Sequence, residues 1–229
     1  MGRSAILKRI RQAVEDADPP AMPSELPRFP AFPDPVAQFR KELEAVDGHF
    51  YDGRRKSRLP GILSRILAQC CTEEIFWEAA AMFERHGIQA QPAPPGTFDA
   101  GRLAFSRHAG QRVEFPIRID SRTGGRQELA SIRLSASSAA CGIAETGTVV
   151  QQVEAGTGRL FAVLPPCHLV FLSRPNLLMN QSEFFGRGRL GEQGSATTLV
   201  TGPSRTADIE KQLVVGVHGP KQWFVVLTE

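Results

Sequence analysis

A chain of 229 residues, 41% apolar and 22% charged, can bury a sizeable core and is not a disordered polymer. A net charge of +3 is too mild to mark a nucleic-acid-binding protein, and 22 arginines against 5 lysines reflect genome composition at least as much as anion recognition. Cys70, Cys71, Cys141 and Cys167 show no C-x-x-C spacing and no histidines in register, so no metal site and no cofactor is expected on this chain.

In chain order, Ser4 to Ala17 carries Ile6, Leu7, Ile10 and Val14 at helical spacing among charged residues, which predicts an amphipathic helix and not a signal-peptide run. Seven prolines from Pro19 to Pro35 remove backbone donors and predict an extended connector. Residues 1–35 thus form an appendage, and 36–229 form one domain. Helices are predicted over Val36–Val46, Leu59–Cys70 and Thr72–His86. The last opens on Thr72 and two glutamates and stops at Gly87. Residues 36–86 therefore read as the helical part of the domain. The run Arg54-Arg55-Lys56-Ser57-Arg58 has aromatics on one side only, at Phe50 and Tyr51, and reads as a solvated loop. No segment approaches the roughly 18 consecutive apolar residues of a membrane span. The expected location is the cytoplasm, with thiols reduced.

After Gly87 short apolar runs predict strands at Leu103–Ser106, Val113–Ile119, Gly147–Val153, His168–Leu172, Thr197–Thr201 and Gln222–Leu227. The last three are continuously apolar and far apart, as in a parallel sheet covered on both faces, with Ile209–Val215 as one covering helix. The expected fold class is α/β, a mostly parallel sheet flanked by helices with an N-terminal helical extension. Phe185 to Gly194 holds four glycines and predicts a loop ordered by a ligand or subunit.

Four segments carry candidate chemistry. In Gly202-Pro203-Ser204-Arg205-Thr206-Ala207-Asp208-Ile209-Glu210, a Gly-Pro break followed by helical character predicts a strand, a turn and a helix start. Free amides and a positive dipole there could hold an anion, with Arg205 as a fork of donors. The alternative is a plain cap, with Ser204 or Thr206 as its first residue and Asp208 and Glu210 complementing the dipole. In the second segment, Glu145, Thr146, Gly147 and Thr148 set a carboxylate, two hydroxyls and a glycine between apolar runs. Arg159 with Leu164-Pro165-Pro166-Cys167-His168 is the third, and Gly216-Val217-His218-Gly219-Pro220 the fourth. Glu145 is the candidate base or nucleophile, and Arg159 or Arg205 the clamp for an anion or the ion-pair mate of Glu145. His168 and His218 are candidate proton carriers or ligand contacts, though a histidine beside Gly-Pro often only stabilises a turn. Gly202, Pro203, Ser204, Thr206 and Gly219 complete the candidate binding set. All of these loops are expected at the carboxyl edge of one sheet.

In their order along the chain these segments resemble the lactate-utilisation protein C family, whose shared unit is the LUD domain. The resemblance rests on Ala144-Glu145-Thr146-Gly147-Thr148, Arg159 with Leu164-Pro165-Pro166-x-His168, Gly202-Pro203-Ser204-x-Thr206-x-Asp208-Ile209-Glu210, and Gly216-Val217-His218-Gly219-Pro220. It implies a fold similar to the ribose-phosphate isomerase and CoA-transferase group. It also implies a cytoplasmic component of an iron–sulfur-dependent system that oxidises lactate to pyruvate, with the clusters in partner subunits. Two functions are compatible with it: an accessory, partner-binding or ligand-sensing subunit, or a stand-alone enzyme or binder of a small phosphate- or carboxylate-bearing anion.

Overall fold

The structure is a computed structural model that describes residues 2–15, 31–73, 75–77, 89–92, 100–106, 112–119, 132–153, 162–187, 196–207, 213–216 and 218–229. Helix α1 spans Arg3–Glu15, with Ile6, Leu7 and Ile10 exposed. Helix α2 spans Pro35–Ala45. Pro35 fits its first turn, and Asp34 caps it by accepting from the Val36 and Ala37 amides at 3.0 and 3.1 Å. The stripe buries Phe39 and Leu43. Helix α3, Leu59–Gln69, has Pro60 in its first turn and buries Leu59, Leu63, Ile66 and Leu67.

Among the described residues the main sheet has eight strands in the order β1-β14-β9-β6-β2-β5-β4-β3. These are β1 His49–Asp52, β2 Ile75–Trp77, β3 Gln89–Pro92, β4 Ala100–Ser106, β5 Arg112–Ile119, β6 Leu134–Ser138, β9 Cys167–Ser173 and β14 Gln222–Thr228. From β1 to β5 every neighbouring pair is parallel, and β4 and β3 add antiparallel strands at the edge. β9 and β14 are near-continuous apolar runs because both faces are covered. On one face α3 sets Leu63 and Ile66 against Leu169, Phe171, Phe224 and Val226. On the other, Phe39 and Leu43 of α2 meet Val170, Leu172, Trp223 and Val225, together with Ala144 and Val149.

Val149 belongs to a second sheet, in the order β10-β7-β8-β11, formed by Leu177–Leu178, Cys141–Ile143, Thr148–Val153 and Ala196–Val200. A short helix α4, Gln181–Gly186, follows β10. Strands β12 Arg205–Ala207 and β13 Leu213–Val215 pair antiparallel as a ribbon.

The mostly parallel sheet flanked by helices is the fold class expected from the sequence, and several elements differ. Ile75–Trp77 is not helical: it is a strand inside the main sheet, where Ile75 and Phe76 are buried as β-branched and aromatic side chains suit. Residue 74 and residues 78–86 of that predicted helix lie outside the described residues. β1 and β2 also place strands within 36–86, which the sequence reads as helical. Of the covering helix expected over Ile209–Val215, Leu213–Val215 is a strand that pairs with Arg205-Thr206-Ala207, and residues 208–212 lie outside the described residues. Thr197–Thr201 is not in the parallel sheet. Its strand runs antiparallel to β8 at the edge of the small sheet, with Thr198 and Leu199 exposed. Phe185 and Gly186 end α4, where the sequence reads as loop. The basic run at 54–58 is mostly exposed, as expected, and contains one short 3-10 turn.

Candidate functional site

The segment Thr201–Arg205 is the hub on which the candidate loops meet. The register of β8 and β11 sets Val149 opposite Val200, which leaves Thr148 facing Thr201. Their hydroxyls are 2.7 Å apart, and Thr146 Oγ1 is 2.7 Å from Thr148 Oγ1. Gly147 and Gly202 have φ of 65° and 77°, and both press on the end of α2. A Cβ on Gly147 would strike the Leu43 backbone, and one on Gly202 would strike Val46. Only glycine fits these two turns.

Pro203 is buried, and beyond it Ser204 ties the hub to the fourth loop. Its amide donates to Pro220 O at 2.9 Å, its carbonyl accepts from the Gly216 amide at 2.8 Å, and Gly219 lies against its Cβ. The Lys221 amide donates to Pro166 O at 2.8 Å, which brings in the third loop. These contacts precede Cys167 and Gln222, the first residues of β9 and β14. The loops therefore converge at the amino edge of the parallel strands and not at the carboxyl edge expected from the sequence. The small sheet is the reason: β11 leads directly into Gly202-Pro203-Ser204 and delivers them to the amino edge beside Pro220.

A groove of about 370 Å³ opens there, lined by Val163, Leu164, Pro166, Gly216, His218, Gly219 and Lys221. The aliphatic stem of Lys221 lies over Gly216, whose φ is 77°. Val163 and Leu164 are each 47% exposed. Among the described residues the lining contains two groups able to carry positive charge and no carboxylate, so it suits an anion with an apolar portion.

Several predicted members lie away from the groove. Glu145, half-buried, does not pair with Arg205: its Oε2 accepts from the Gln181 amide at 3.1 Å at the start of α4, and its own amide donates to Met179 O at 3.1 Å. It anchors α4 to the turn after β7. Arg205 instead forms an ion pair with Asp47, the left-handed residue after α2. Thr206 lies in β12, facing Val214 in the ribbon register. Arg159, Asp208 and Glu210 lie outside the described residues.

His168 is fully buried between the two sheets and is not part of the groove lining. Its Nδ1 is 2.6 Å from Ser135 Oγ, its Nε2 is 2.8 Å from Ser137 Oγ, and the Gln151 amide nitrogen is 3.2 Å from Nε2. Its ring lies over that of Trp223, with centroids 4.9 Å apart. The role is structural, a satisfied polar cluster inside an apolar core. Sequence reasoning missed Ser135, Ser137, Gln151, Asp47 and Lys221. The signal for Gln151 was present, a polar residue inside the apolar run Thr148–Val153.

Comparisons with known proteins agree with this architecture. Residues 36–228 match the LUD domain. An uncharacterised protein of Neisseria meningitidis serogroup B is 30% identical over 158 residues, 67% of this chain and 65% of that protein. A protein of Geobacillus sp. named Lactate utilization protein C is 37% identical over 94 residues, 38% of this chain and 39% of that protein. The chain thus spans less than two thirds of the length of either relative. The crystal structure of a DUF162 family protein from Deinococcus radiodurans has the same fold, with a TM-score of 0.51 at 17% identity, covering 85% of this chain and 96% of that one. Both the match over most of the chain and the shared fold lead to one assignment: this chain belongs to the LUD domain family.

Proposed function

We propose that this chain is a cytoplasmic accessory subunit of a system that oxidises lactate to pyruvate, docking on iron–sulfur partner proteins that carry the electrons. The observation that carries the reading is the family match, together with relatives named Lactate utilization protein C. The architecture supports it in one way. Exposed Val163 and Leu164 on the groove wall, and Val214 and Val215 beside Gly216, give the amino edge an apolar surface suited to a partner. Among the described residues no helix is long and apolar enough to cross a membrane. Co-expression with cysteine-rich iron–sulfur proteins encoded beside it, followed by size-exclusion chromatography, tests the proposal. Co-elution at micromolar concentration, lost in Leu164→Glu, is the expected result. Separate elution of every such partner overturns it.

A second reading rests on the groove itself. His218 and Lys221 would hold the carboxylate or phosphate of a small anion, with its apolar part against Val163 and Leu164. Thermal-shift measurements with lactate, pyruvate, sugar phosphates, nucleotides and CoA test it, since ligand at 100 times its Kd stabilises by about 2.7 kcal/mol.

A further inference from the structure

Three of the four cysteines gather at the amino edge of the main sheet, and the docking role leaves them unused. Cys70 closes α3, Cys71 follows with a φ of 50°, and Cys167 opens β9. All are free thiols, Cys70 and Cys167 buried and Cys71 exposed. The Cys70 and Cys167 side chains lie in one buried cluster, and both thiols donate to one acceptor, Gln222 Oε1, at 4.0 and 3.4 Å. Arg133 brackets the pair: its Nε donates to Cys70 O at 3.0 Å, and its carbonyl accepts from the Cys167 amide at 3.1 Å. Two sulfurs from distant parts of the chain therefore meet beside a fixed cation.

We propose that Cys70 and Cys167 form an oxidation site, which a hydroperoxide closes to a disulfide that pins the end of α3 to the start of β9. Cys167 attacks first. The neighbouring Cys70 thiol and the charge of Arg133 draw its thiol down, against burial, whereas the neighbouring Cys167 and burial push Cys70 up. The Cys167 sulfur attacks the outer peroxide oxygen and the O–O bond breaks. The departing alkoxide takes the thiol proton and leaves as an alcohol. Cys70 then attacks the sulfur of the resulting sulfenic acid, and hydroxide leaves with the Cys70 proton as water. Two thiols and one hydroperoxide thus give one disulfide, one alcohol and one water, with two electrons passing from sulfur to oxygen. The site is next to the groove, because Cys167 follows Pro166 and Gln222 follows Lys221, both lining residues. Oxidation removes both thiol donors from Gln222 at that point.

The test uses the whole chain carrying Cys71→Ser, since Cys70 and Cys71 share one tryptic peptide. Protein treated with a small molar excess of tert-butyl hydroperoxide is alkylated with N-ethylmaleimide in denaturant, digested and mapped by mass. The expected product is a peptide containing Cys70 joined to one containing Cys167, two hydrogens lighter than their sum and separated by dithiothreitol, with Cys141 fully alkylated. The same crosslink is expected in the unsubstituted chain. Full alkylation of both Cys70 and Cys167 after treatment, or a crosslink from Cys141 instead, overturns the proposal.

Discussion

Gln151 on β8 and His168 on β9 join the two sheets, the glutamine amide nitrogen lying 3.2 Å from the imidazole Nε2. The histidine is fully buried, and Ser135 and Ser137 reach it from the neighbouring strand β6. Replacing it strands several polar groups in an apolar layer. His168→Leu is expected to destabilise the fold by ~2–4 kcal/mol, read from urea unfolding. The same variant at low temperature keeps any partner or anion binding at the groove, because the imidazole does not line it. Loss of binding without loss of stability would contradict this division.

Gly147→Ala is expected to be at least as harmful, through backbone rather than polar contacts. The added Cβ meets the Leu43 backbone, which cannot rotate away, at a φ of 65° that a side chain rarely adopts. A loss of more than ~2 kcal/mol, or failure to accumulate as soluble protein, is the expected outcome in chemical denaturation. Gly61→Ala is the control, since a Cβ there meets nothing within 4 Å.

Arg205→Ala, in contrast, should barely change stability. Its ion pair with Asp47 is open to water, with Asp47 79% exposed, and such pairs contribute under ~1 kcal/mol. Half-molar salt should abolish most of the difference between variant and parent. A partner or anion affinity that falls while the unfolding midpoint stays fixed would assign Arg205 to recognition.

Asp52 gives the expected acid response. Arg54 bonds both of its carboxylate oxygens, at 2.9 and 2.7 Å, and holds its pKa at about 2. Because the folded value lies below the unfolded value of ~3.9, this stabilisation is present above pH ~4 and is lost as pH falls toward ~2. Asp52 and Arg54 are each about a third exposed, so screening keeps the contribution below ~1 kcal/mol. Asp52→Asn should therefore cost a little stability at neutral pH and flatten the loss between pH 4 and 2, measured by thermal unfolding across that range.

Much of the architecture is legible in the residues. The runs Cys167–Ser173 and Gln222–Thr228 announce buried parallel strands, and Asp34-Pro35 with Phe39 and Leu43 announces α2. Short elements are not, because His49–Asp52 is only half-buried and its four residues carry no periodicity. Ile75-Phe76-Trp77 is hidden behind a helix-start signal, and Leu213-Val214-Val215 suits either helix or ribbon until its partner is known. The Gly-Pro turns of the site are readable, since Gly202 and Gly216 adopt the positive φ that glycine allows. Their edge of the sheet is not: ligands of open α/β sheets usually bind at the carboxyl ends, and the small sheet here carries the loops to the other side. Pairings such as Arg205 with Asp47 depend on distances that only the fold sets.

The position of β14 between β1 and β9 has a consequence for how the molecule is made. It is translated after every strand that surrounds it, and among the described residues β1 pairs with no other strand. During synthesis, β1 and the apolar faces of α2 and α3 must wait on the ribosome without their central partner. Acquisition of the native state thus waits for β14 to be made and is dominated by long-range closure. A nascent fragment stalled before Gln222 should be a client for holding chaperones and not a smaller version of the domain.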